Sequence, residues 1–120
     1  MASRPENLSL EAFTAALRDD APPAGLDNAL QALWHEARAG GPGATRSLDI
    51  TGEMSSGWKT AHGLSQRQRD KDGSWVHAYL HWIEGDDVNA GHWYERAGRP
   101  FPTASLADEW AQIAAALLVR

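Results

Sequence analysis

The chain has 120 residues, six tryptophans, no cysteine and a formal net charge of −5 at neutral pH. That length suits one domain with a continuous core, and the missing thiols exclude a disulfide framework, a thiolate zinc site and a cysteine nucleophile, in keeping with a reducing, cytoplasmic compartment. An acidic balance is the wrong sign for a surface that neutralises phosphates, no stretch is apolar enough to span a bilayer, and the first residues lack a signal-peptide core, so neither nucleic acid nor membrane is an expected partner.

A first helix is predicted after Ser9, an N-cap, with Leu10, Phe13, Ala16 and Leu17 on one face, ending at Asp19-Asp20 and Pro22-Pro23. Asp27 caps a second, whose Leu26, Leu30, Leu33, Trp34 and Ala37 form an amphipathic stripe that Gly40-Gly41-Pro42-Gly43 stops. Residues 40–56 read as a long loop with Leu48 and Ile50 as its main apolar points. Ser55 or Ser56 caps a third helix carrying Trp58, Ala61, His62 and Ser65 and running out near Arg69, with Asp70 to Gly73 as a turn. The basic run Arg67, Arg69, Lys71 is interrupted by Asp70 and reads as a solvated helix end.

Ser74 is expected to open a fourth helix through Glu84, closed by Gly85, and Asp86 or Asp87 to cap a fifth, Val88 to Ala97, closed by Gly98. Arg99-Pro100-Phe101-Pro102 forces an extended connection, and Ser105 begins a last helix with Trp110, Ile113, Ala114 and Leu117 as its docking stripe. The sum is an all-α single domain over 1–120, about six helices in antiparallel pairs.

Gly85-Asp86 followed by Ala90, Tyr94 and Ala97, with Ala78 as the small residue of the preceding helix, resembles the second half of a tetratricopeptide repeat. Asn89-Ala90, Trp93-Tyr94 and Arg96-Ala97 are similar to the Sel1-like variant, although His77 and His81 stand where the repeat has a leucine and an aromatic. A fainter earlier copy pairs Leu33–Gly40 with Trp58–His62. The run Trp75 to His81, with Glu84-Gly85-Asp86 and Trp93-Tyr94, also resembles a family of small uncharacterised bacterial proteins, which lends no activity. The resemblance implies a tetratricopeptide-like compact bundle, with the N- and C-terminal helices as caps.

On the fourth helix Trp75, Val76, Ala78, Tyr79, Leu80, Trp82 and Ile83 fill an apolar arc, leaving His77, His81 and Glu84 as a narrow stripe at i, i+4 and i+7. Such a stripe is ordinarily a solvent face with an i, i+3 His–Glu pair. The alternative is a Zn²⁺ or other metal site, or a proton-transfer pair, completed by His62 or His92. His35-Glu36 lacks the second histidine of a metalloprotease helix, no serine sits in a nucleophile elbow, and the glycine run has no P-loop lysine. The leading expectation is a non-enzymatic interaction module, without cofactor, binding a protein or peptide or self-associating, with Trp75, Tyr79, Trp82 and Trp93 as candidate contacts. The competing one is a small metal- or ligand-binding protein or hydrolase centred on His77, His81 and Glu84.

Overall fold

Among the described residues six helices each begin on a short polar side chain that accepts a hydrogen bond from a first-turn amide. The computed structural model describes residues 8–38, 40–44 and 53–120, and places α1 at Leu10–Ala15, α2 at Asn28–Ala37, α3 at Ser56–Arg67, α4 at Lys71–Ile83, α5 at Asp87–Ala97 and α6 at Leu106–Leu118. The caps are Ser9, Asp27, Ser55, Asp70, Asp86 and Ser105, each accepting from the amide three residues on. Each such cap stabilises its helix by about 1 kcal/mol. Gly85 and Gly98 close α4 and α5 in the left-handed conformation, with the following amide returning to the carbonyl five residues back, from Asp86 to His81 and from Arg99 to Tyr94.

The helix order agrees with the sequence expectation, with three changes. A 3-10 turn, Ala16–Arg18, follows α1, and α3 stops at Arg67, two residues early. The segment expected as a turn, Asp70 to Gly73, is instead the cap and first turn of α4, because the Asp70 carboxylate accepts from the Gly73 amide at 2.9 Å. Leu48 and Ile50 lie outside the described residues.

The most extensive helix contacts are α4 with α5 and α2 with α3, and α4 also touches α3, α6 and α2. Across both tight connections the touching side chains lie at matching distances from the turn, His62 against His77 and His77 against Trp93, as antiparallel neighbours require. Ala78 and Ala90 are fully buried where α4 and α5 meet, so small side chains let the two backbones approach. The chain ends return to the same core, with the Phe13 ring of α1 stacked on Trp110 of α6 at 5.5 Å and Arg120 paired with Asp27 and Asp72. The radius of gyration, 13.4 Å, is that of a closed domain of this length, about 13–14 Å, and not of an open superhelix.

Four of the six tryptophans fasten one helix to another through the indole N–H. Trp34 donates to the Ala16 carbonyl, Trp58 to Leu80, Trp110 to Leu33 and Trp75 to the Glu109 carboxylate, at 2.8–3.0 Å. Two buried carboxylates complete these joints. Glu36 accepts from Tyr79 of α4 and from the Gly43 amide, while one Glu109 oxygen accepts from both Trp75 and Tyr94, joining α4, α5 and α6.

Candidate metal centre

The connection from α3 to α4 is only Gln68 to Asp70, so side chains six or seven residues from it on either side are brought level with each other. Gly73 makes that connection tight. A Cβ there would stand 1.8 Å from the Gln68 carbonyl oxygen, so the first turn of α4 lies directly on the last turn of α3. His62 of α3 consequently meets His77 of α4, with the two Nε2 atoms 3.1 Å apart.

His81, one turn along α4, lies over His77 with ring centroids 4.8 Å apart, and its ring is 5.2 Å from that of His62. One ring nitrogen from each of the three imidazoles falls within 4.8 Å of the others. Two imidazole lone pairs at 3.1 Å need a proton or a cation between them, and the tetrahedral angle with metal–nitrogen bonds of about 2.0–2.1 Å spans roughly 3.3 Å. The third histidine is already oriented, because its Nδ1 meets the Glu84 carboxylate at 2.5 Å, leaving Nε2 available. A carboxylate behind a ligating imidazole fixes its tautomer and raises its basicity.

The surroundings favour the neutral form of His77 and His62. Burial, followed by His81, His62 and Arg96 nearby, pushes His77 down to about 3, and burial with His81 also lowers His62 against an opposing pull from Glu84. Neutral imidazole is the ligating form, so at pH 7 His62 and His77 can admit a metal once the proton shared by their Nε2 atoms is displaced. Two tryptophans bracket the cluster: Trp58 stacks on His62 at 4.8 Å and Trp93 on His77 at 4.0 Å.

The structure therefore revises the sequence picture of this face. His77 and His81 are 5% and 7% exposed, so the stripe is covered by α3 and α5 instead of facing solvent, and the i, i+3 His81–Glu84 pair closes its outer edge. Of the two histidines expected to complete a set, His62 joins and His92 does not: His92 is exposed and meets the edge of Trp93 at 5.7 Å. Among the aromatic contact candidates Trp75 and Tyr79 are core, because Trp75 reaches Glu109 and Tyr79 reaches Glu36, whereas Trp82 and Trp93 are half-buried. A second acidic grouping, His81 with Glu84 and Asp86, shares His81, but its two carboxylates are exposed and Asp86 caps α5.

Beside His77 a cavity of about 380 Å³ opens, walled by Ser65, Arg69, Ser74, Trp93 and Arg96 and, among the described residues, without an aspartate or glutamate in its lining. Neither the buried carboxylates nor this cavity was anticipated. For Glu36 and Glu109 a signal existed, since both fall inside the apolar stripes of their helices, next to Ala37 and Trp110. Burial with the adjacent carboxylates raises Tyr79 and Tyr94 well above an ordinary phenol, so both stay hydrogen-bond donors.

No family model, curated protein or solved structure matches the chain.

Proposed function

We propose that this protein binds a divalent transition metal of the zinc type through His62, His77 and His81. The observation that carries this reading is the convergence of three imidazoles, two buried and one half-buried, from two tightly joined helices within 4.8 Å. Three imidazoles with a fourth position open is a donor set of catalytic zinc sites, and imidazole nitrogen suits Zn²⁺ over Ca²⁺ or Mg²⁺. Glu84 is a positioning residue, acting on the metal through His81.

The expected interaction module has less to stand on. Exposed large apolar side chains among the described residues are Val88, Phe101 and Val119, and none of the four aromatic contact candidates is among them.

The test is a tag-free preparation analysed for metal and titrated with Co²⁺, whose visible absorption reports coordination geometry. One equivalent of zinc and a tetrahedral cobalt spectrum are expected, both abolished in His62→Ala and in the double variant His77→Ala with His81→Ala. Glu84→Gln should weaken the metal by about 10–100-fold without changing stoichiometry. Protein from zinc-supplemented cells with no bound metal and no cobalt spectrum refutes the reading.

A further inference from the structure

We propose that the cavity beside His77 binds a small oxyanion, a molecule carrying a phosphate or carboxylate group, with Arg69 and Arg96 as its counter-charges. His77 borders both this cavity and the metal centre, but the arginines that would hold the anion are not metal ligands, so the proposal stands without the metal reading.

The chain carries a net charge of −5, yet among the described residues this cavity presents two guanidinium groups and no carboxylate in its lining. The two cations come from different elements, Arg69 from the connection before α4 and Arg96 from α5, so the fold brings like charges to one cavity. Both side chains are exposed, so water screens their mutual repulsion, and an anion entering the cavity would meet two guanidinium forks. Neither has a carboxylate partner among the described residues, whereas Arg120 is paired with Asp27 and Asp72 and Arg38 donates to the Asp19 and Asp20 carbonyls.

Arg96 is also positioned. Its guanidinium lies 4.8 Å from the centre of the Trp93 ring, which in turn rests on His77, so its long side chain is held at the cavity wall. A planar fork of donors matches the oxygens of phosphate or carboxylate in pairs, a geometry lysine does not offer. The volume, about 380 Å³, falls in the range of small-molecule sites and exceeds the needs of a bare inorganic ion. The ligand is therefore an organic acid or a phosphate ester, its anionic end between the arginines.

The test uses the full chain after EDTA treatment, in calorimetric titrations with inorganic phosphate, phenyl phosphate and benzoate, and with neutral benzamide as control. At least one anion is expected to bind saturably with one-to-one stoichiometry while benzamide does not. The phosphate probes against benzoate tell a phosphoryl from a carboxylate ligand. In the double variant Arg69→Gln with Arg96→Gln the affinity should fall roughly tenfold or more, while zinc content before EDTA treatment and melting temperature stay as in the parent. His62→Ala should do the reverse, losing zinc and keeping the anion, so failure of one site is distinguishable from failure of the other. No binding of any anion, or binding that survives the double arginine substitution, overturns the proposal.

Discussion

Replacing Glu109 by leucine removes the acceptor that joins three helices. The side chain is 6% exposed, and its Oε2 atom takes the Trp75 indole N–H and the Tyr94 hydroxyl, both at 3.0 Å. Leucine leaves two buried donors without a partner, at about 1–3 kcal/mol each, offset in part by the apolar surface it buries, for a net loss of about 3 kcal/mol. Tyr94→Phe alone leaves the carboxylate bound to Trp75 and should cost about 1.5 kcal/mol. In the combined variant, however, the phenylalanine removes one of the orphaned donors, so the pair should lose about 2 kcal/mol instead of the additive value of about 4.5. Urea denaturation at pH 7.5, followed by far-ultraviolet circular dichroism, measures all four corners of the cycle. A double variant whose loss equals the sum of the single losses within about 0.5 kcal/mol would show that these donors do not share one acceptor.

Two glycines should respond in opposite directions. Gly73→Ala drives a Cβ into the Gln68 carbonyl and should cost about 3 kcal/mol, whereas Gly63→Ala, in the interior of α3 with open space around the new methyl, should add about 0.5–1 kcal/mol; denaturant midpoints decide both. In the metal-free protein acid should weaken the fold through His77. Its pKa is lowered to about 3, so as pH falls the unfolded chain is protonated first, near 6.5, and stability present above that value is lost between about 6.5 and 3. At pH 5 the loss is about 2 kcal/mol, with His62 acting in the same direction, and His77→Phe should flatten the dependence. Equal urea midpoints at pH 7 and pH 5 in the parent would contradict it.

Helix boundaries were legible in the sequence wherever a cap residue and a periodic stripe coincided, as at Ser9, Asp27, Ser55, Asp86 and Ser105. The start of α4 was not, because Gly73 is a strong turn signal in isolation and its actual role, close approach to the Gln68 carbonyl, depends on a neighbouring helix. The spacing of His77, His81 and Glu84 was likewise plain from local periodicity, and His62 stood among the candidates to join them. What local periodicity does not contain is which neighbour covers a helix face, and that is what separates His62 from His92 and turns a solvent stripe into an enclosed cluster. The arginine-lined cavity is the extreme case, since Arg69 and Arg96 share no periodic relation along the chain.

The indole fastenings bear on how the molecule can move. Each of the bonds from Trp34, Trp58, Trp75 and Trp110 ends on one particular oxygen of another segment, and a slide of one helix by a single residue, about 1.5 Å, would stretch bonds of 2.8–3.0 Å toward breaking. Shear between packed helices, a common route by which bundles change shape, is thus blocked at several crossings at once. Adjustment to a ligand is left to side-chain rotation and to the connections, above all the extended stretch from Arg99 to Ala104, which makes this fold a stiff mount and not a transmitting lever.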